Sequence, residues 1–251
     1  MWHKRITVAL AVLAFVLLAV CGPGTRAGLW PFRVGFGMFA GAMLTGLAAA
    51  GAALVGLVLP ALRTRSAPLL VAAFALGIAS AAVPLDYLRR VKTLPYINDI
   101  TTDAERLPQF SPPKEYPGHF AELQQIGYPD LHPLELTLPP KHAFARAAES
   151  AKAHGWEITR LDEGAGTIEA VVTTLWFGFK DDVVIRVSAS GTGSRVDMRS
   201  KSRVGRSDTG TNAQRIREFL GALATASGAP TSGIPSTAHR TSARGTPPPA
   251  G

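Results

Sequence analysis

The densest group of side chains able to do chemistry lies between Arg199 and Arg217. It holds Arg199, Lys201, Arg203, Arg206, Arg215 and Arg217, interleaved with Ser200, Ser202, Ser207, Thr209 and Asn212. Gly205 and Gly210 allow a tight backbone between a strand-like run and a helix-like one. A strand end leading through a Gly/Ser loop into a helix start offers free backbone N–H groups and a favourable dipole to an anion. Guanidinium groups add planar, bidentate donors for carboxylate or phosphate. The candidate anion-binding residues are therefore Ser200, Ser202, Arg203, Arg206, Ser207 and Asn212. Candidate ligands are a lipid headgroup, an envelope polymer or a small phosphorylated metabolite. The competing expectation uses the same residue types internally. Asp99, Asp103, Asp181, Asp182, Asp197 and Asp208 supply carboxylates that would pair with these cations and fix the conformation.

A second chemistry is hydrolysis in an extracytoplasmic domain. Asp99 with Asp103, or Asp181 with Asp182, could share a proton or hold a divalent cation. Against this, neighbouring strand residues point to opposite faces, so Asp181 and Asp182 would not converge within a strand. The chain has no G-x-S-x-G elbow, H-E-x-x-H or P-loop. The histidines (His3, His119, His132, His142, His154, His239) lie outside this polar stretch, so no general base stands out. The sequence calls for no cofactor and no metal. It points to a non-catalytic binding or assembly module, with the hydrolase as the alternative.

Two stretches carry a family likeness. One is Leu94-Pro-Tyr-Ile-Asn-Asp-Ile-Thr-Thr-Asp103; the other runs from Asp181 through Val196–Asn212 to Phe219. Tyr128-Pro-Asp-Leu-His-Pro133 and Gly155-Trp156 add to it. Together they resemble the DUF1499 family, a bacterial domain of unknown function, over about residues 93–225. The resemblance implies no particular activity.

These residues need a scaffold, and its parts show in the hydrophobic pattern. Residues 93–138 are proline-rich with little periodicity, which predicts an irregular lead-in wrapping the domain. Phe144, Ala147, Ala148 and Ala151 recur at helical spacing, and Gly155 supplies a stop. Strand-like runs follow at Trp156–Leu161, Thr167–Thr174, Asp182–Ser190 and Ser194–Ser200, separated by turn residues. Val183, Ile185 and Val187 alternate with Val184, Arg186 and Ser188, which predicts one packed and one mixed sheet face. Ile216, Phe219, Leu220 and Leu223 make one stripe of a closing helix capped by Thr211 or Asp208. The expected fold is α+β: helix, four-stranded antiparallel meander, helix, in two layers over 93–227. A Ser/Thr/Pro/Gly/Ala-rich tail over 228–251 reads as disordered.

Ahead of Asp86 there is no acidic residue, and three uncharged apolar spans run over 6–22, 34–59 and 67–85. Each is about long enough to cross a bilayer core of roughly 30 Å. Residues 1–92 are thus expected to be a membrane domain with three transmembrane helices. The first span could instead be a cleaved signal, and Cys21 at its end invites lipidation, although Val20 is larger than such signals prefer. Gly37 and Gly41, continued by Ala42, Gly46 and Ala50, make a small-residue face that could pack a second copy or a membrane-protein partner. No Asp, Glu or His lies inside any span, which argues against transport. The turn Trp176-Phe-Gly-Phe179 reads either as an exposed contact patch or as a strand end buried in the core.

The net charge of +8 suggests nucleic acid until it is placed. All acidic residues lie between Asp86 and the tail, alongside an equal number of cations, so the excess belongs to membrane flanks and tail. That excludes a nucleic-acid partner and leaves the lipid bilayer. Lys4, Arg5, Arg63 and Arg65 favour a cytoplasmic amino terminus and a periplasmic domain in a bacterial inner membrane, whereas Arg89, Arg90 and Lys92 argue the reverse.

Overall fold

A computed structural model describes residues 2–59 and 67–228. The expected tail therefore lies outside the described residues except for Gly228, as do Arg63 and Arg65. Three helices come first: α1 (Trp2–Arg26), α2 (Phe32–Val58) and α3 (Ala67–Thr93). All three are long and apolar enough to cross a membrane. Helices α1 and α3 outrun their expected spans by about two turns each, whereas α2 nearly matches its own. Asp86 marks the end of the apolar run but not of the helix, because its carboxylate pairs with Arg89 and Arg90 one turn on.

The bundle closes on small residues. Ala42, Gly46, Ala49, Ala50 and Ala53 of α2 are buried, as are Ala73, Gly77 and Ala81 of α3. A Cβ at Gly46 would stand 2.6 Å from the Gly77 carbonyl oxygen, and one at Gly77 equally close to that of Gly46. This is the close backbone approach that small residues permit. The Ala42–Gly46–Ala50 part of the small-residue face is thus used within the chain. Gly37 faces open space. Cys21 is buried within α1, its thiol donating to the Leu18 carbonyl.

The rest forms a six-stranded antiparallel sheet with helices on one face. Strands β3 (Glu157–Asp162), β4 (Thr167–Thr173), β5 (Lys180–Ser190) and β6 (Gly193–Ser202) make the expected meander. Helices α5 (Pro140–Ala153) and α6 (Thr211–Ala226) cover the face carrying Ile168, Ala170, Val183, Ile185, Val187, Val196 and Met198. Phe144, Ala147, Ala148 and Ala151 meet Ile216, Phe219, Leu220 and Leu223 in this core, and Trp156 stacks on Phe219 at 5.0 Å.

The sheet differs from the expected four strands in the lead-in. That segment contributes β1 (Asp99–Thr101), α4 (His119–Gly127) and β2 (Leu134–Leu136). Both strands pair along the outer edge of β6, β2 opposite Ser194–Val196 and β1 opposite Arg199–Lys201. Three-residue strands carry no alternation to read, and they form by non-local pairing. The exposed side of β1 is closed by Gln124, whose amide accepts from the Thr101 N–H and donates to the Thr101 carbonyl. The lead-in then crosses the second sheet face, so Val184 is as buried as Val183.

Domain and bundle meet at the β4–β5 turn. Trp176, Phe177 and Phe179 are neither an exposed patch nor part of the domain core. They pack on the carboxyl end of α1, the amino end of α2 and the carboxyl end of α3. Phe36 lies 5.1 Å from Phe177, Phe39 5.7 Å from Trp176, and Tyr87 5.7 Å from both Phe36 and Phe39 (ring centroids). Trp176 lies so close to Gly22 that a Cβ there would be 2.0 Å from its Cδ1. Arg26 donates to the Leu175 carbonyl.

We expect Gly46→Val to force α2 and α3 apart, costing about 1–3 kcal/mol or more of overpacking strain. Gly37→Ala, on the open side, should be neutral or slightly stabilising. Thermal unfolding of the full chain in detergent would distinguish them; equal melting temperatures would refute this packing.

Candidate functional site

The lead-in is held over the second sheet face by charge. Arg199 of β6 is fully buried, and its guanidinium donates to both Asp99 oxygens at 2.9 and 2.8 Å. It also donates to the carbonyls of Pro108, Lys114 and Glu115. The rings of Phe110 and Tyr116 lie 4.9 and 5.4 Å from it. Lys201 adds a second cation to Asp99 at 2.7 Å. Burial, then the nearby Asp99 charge, push the Tyr116 hydroxyl up to about 12.

Two further clusters share that face. Asp103 binds Arg195 at 2.6 Å, and Asp197 binds Arg195 and Arg186. Asp182 pairs with Arg203 at 2.7 Å and with Lys114. Burial raises the Asp103 carboxyl, but the Arg106 backbone N–H and the Arg195, Arg106 and Arg186 charges outweigh it, leaving it below its ordinary value. Burial likewise raises Asp182, and Arg203 and Lys114 hold it below its ordinary value nonetheless. At the carboxyl end of α4, Asp130 meets Arg217 at 2.6 Å; this hydrogen-bonded pairing lowers the Asp130 carboxyl.

On the helix-covered face, Arg215 donates to Asp181 at 2.6 Å, to Ser200 at 2.7 Å and to Asn212. Ser200 donates to Asn212, which in turn donates to Ser202 at 3.0 Å. The N-cap of α6 is Gly210, not Thr211 or Asp208 as expected; Asp208 lies two residues ahead of it and reaches the first turn with its side chain. Its carboxylate accepts from the Asn212 and Gly210 N–H groups at 2.6 and 3.3 Å. Burial, reinforced by the Asp181 charge, raises the Asp208 carboxyl above its ordinary value.

The expected site residues thus separate into three groups. Ser200, Ser202 and Asn212 come together, but around Arg215, which sequence reasoning had not placed among them. Arg203 is turned to Asp182. Arg206 and Ser207 lie on the loop between β6 and α6. Arg199, Lys201, Arg203, Arg215 and Arg217 each pair with a carboxylate. Among the described residues Arg206 makes no ion pair or hydrogen bond, and it is exposed. The hydrolase pairs do not converge: Asp181 and Asp182 serve opposite faces, and Asp99 and Asp103 bind different arginines. No group of three His, Cys, Asp or Glu among the described residues could hold a metal ion.

The Arg206 loop overhangs a cleft of about 430 Å³ between domain and bundle. Its bundle side is Phe32, Phe36, Tyr87, Leu88 and Val91; its domain side includes Asp181, Ser202, Arg206, Ser207, Asp208 and Thr209. Sequence reasoning missed this cleft, because only the aromatic turn at 176–179 brings its two walls together. The volume is in the range of ordinary ligand sites, which combine apolar walls with a few polar groups.

Three helices long and apolar enough to cross a membrane, followed by an α+β domain, mark the chain as a membrane protein. Residues 99–223 match DUF1499, described as a protein of unknown function, and the chain belongs to that family through this domain. No curated protein matches the chain.

Arg199→Met leaves Asp99 buried with less compensation and should destabilise the chain by about 3–5 kcal/mol. Asp99→Leu with Arg199→Met should cost less than the sum of the singles, as read by urea unfolding in detergent. Strict additivity would disprove the coupling.

Acid should act with two signs. Asp103, Asp130 and Asp182 have lowered native values. Their stabilisation is present above the unfolded carboxylate value of about 3.9 and is lost as pH falls below it through the native values. Asp208 is raised, so its contribution grows as pH falls through its native value toward about 3.9. Melting temperature against pH should keep its acid limb in Asp208→Asn and lose part of it in Asp182→Asn. The reverse pattern would contradict these environments.

Proposed function

We propose that this protein is a membrane-anchored, non-catalytic binding module that holds a ligand through an anionic group at the interfacial cleft. The observation that carries this reading is Arg206. The other cations of its segment are neutralised within the fold, whereas its guanidinium has no partner among the described residues and stands at the lip of a cleft with Ser207 and Thr209. A pocket with one aromatic wall against the membrane helices and one polar wall suits an amphiphile. The carboxylates of the hydrolytic alternative, Asp99, Asp103, Asp181 and Asp182, are each engaged with an arginine, which leaves that alternative without an assembled base.

The reading places the bundle in a bacterial inner membrane with the domain in the periplasm. Supporting this, α1 ends, α2 begins and α3 ends on the domain's side, so Lys4 and Arg5 lie at the opposite end. Paired reporters fused after Leu85 and after Phe219, one active only outside the cytoplasm and one only inside, test it. Activity of the internal reporter would overturn the periplasmic placement.

For binding, the probe is dodecyl phosphate against the uncharged dodecyl maltoside in which the full chain is held. Dodecyl phosphate should raise the melting temperature of the wild-type chain. Arg206→Ala should reduce its apparent affinity about tenfold, as expected for a lost charged hydrogen bond of roughly 1.5 kcal/mol. An unchanged affinity in Arg206→Ala would rule out this site.

A further inference from the structure

The cleft's cation, Arg206, is exposed and its carboxylates, Asp181 and Asp208, are buried, and this difference in depth selects a class of ligand within the proposed binding reading. Its floor toward the membrane is apolar: Phe32, Phe36 and Leu88 line it, and Leu85, one turn below Leu88, is exposed along the same helix. Its lip carries Arg206, unpaired among the described residues, with the hydroxyls of Ser207 and Thr209. Its inner wall holds two carboxylates, Asp181 and Asp208, of which only Asp181 has a cation, Arg215. Among the described residues Asp208 has no ion pair; its partners are the backbone N–H groups that open α6. Counted together, Asp181, Asp208 and Arg215 leave the inner wall one negative charge in excess. A simple anion would meet Arg206 but would face that excess. A ligand with a phosphate and, beyond it, a cation would satisfy both.

We infer that the cleft holds a zwitterionic aminophospholipid of the surrounding leaflet, with acyl chains along the α2–α3 surface, phosphate at Arg206 and primary ammonium at Asp208 and Asp181. The apolar Phe32, Phe36 and Leu88, the exposed Arg206 and the buried Asp208 line one cleft, so each part of such a lipid has a matching surface there. A primary ammonium has three N–H donors for carboxylate oxygens. A quaternary choline has none and is bulkier, so the same wall discriminates against it. The aromatic side chains Tyr87 and Tyr96, which also line the cleft, are of the type enriched where a bilayer meets water.

The test uses the full chain in detergent and native mass spectrometry. Phosphatidylethanolamine, phosphatidylcholine and phosphatidylglycerol with identical acyl chains are titrated separately. We expect phosphatidylethanolamine to bind at least tenfold more tightly than phosphatidylcholine. Arg206→Ala should weaken both, and Asp208→Asn should remove the preference between them. Because Asp208 also holds the first turn of α6, Val204→Trp is run beside it. Val204 lines the cleft, is exposed and lies outside the core, so a larger side chain there should block phosphatidylethanolamine without unfolding the domain. Equal binding of the ethanolamine and choline lipids, with phosphatidylglycerol tightest and dependent on Arg206, would overturn this inference and leave the anion-binding reading intact. Lipid binding indifferent to Arg206 and to Val204→Trp would overturn both.

Discussion

The buried pair of Arg199 and Asp99 is the constraint on which the domain's shape depends. A guanidinium in a protein interior needs a carboxylate and further acceptors to offset its desolvation. Here the carboxylate comes from β1 and the carbonyls come from Pro108, Lys114 and Glu115. Satisfying one side chain therefore fixes the course of the lead-in from residue 99 to residue 115. With that path set, Phe110 covers the guanidinium, Ser111 donates its N–H to Glu169 of β4, and Lys114 reaches Asp182. A proline-rich segment with little periodicity becomes the second cover of a sheet that α5 and α6 cover on the other side only.

Much of this was legible in the sequence because it rests on local pattern. Hydropathy located three membrane spans, and alternation around Val183–Val187 with Gly-bearing turns located the meander. Ile216, Phe219, Leu220 and Leu223 gave the closing helix, although its N-cap is Gly210 and Asp208 only reaches in from two residues ahead. What stayed hidden depends on distant partners. Ile100 and Leu136 sit in three-residue strands that exist only because β6 offers an edge. Charge type marked Ser200, Ser202, Arg203, Arg206, Ser207 and Asn212 as one group, but charge type does not say which cation a fold has already neutralised. Arg203 and Arg206 are three residues apart and alike in the sequence; Asp182, on another strand, distinguishes them. Asp86 misled in another way, because a carboxylate that ends an apolar run can still sit in mid-helix when Arg89 and Arg90 follow it.

The aromatic turn at 176–179 joins the two halves. Its backbone is closed on itself, with Thr174 N–H donating to the Phe179 carbonyl and Phe179 N–H to the Thr174 hydroxyl. The rings project as a unit, with Phe177 stacked on Phe179 at 5.4 Å. Aromatic contacts of this kind add about 0.5–1.5 kcal/mol each beyond the area they bury. They set the height of the domain against the bundle, and the cleft beneath Arg206 opens at that same height.

The chain between the end of α3 at Thr93 and the start of β1 at Asp99 is short. At roughly 3.4 Å per extended residue it can let the domain move only about 20 Å from its seat. So short a tether holds the aromatic turn at an effective concentration of about millimolar or more around its receptor on α1, α2 and α3. A contact too weak to join two separate molecules is then enough to keep domain and bundle docked. The rings at 176–179 can therefore form a small joint, leaving most of the domain surface and the cleft lip open to water.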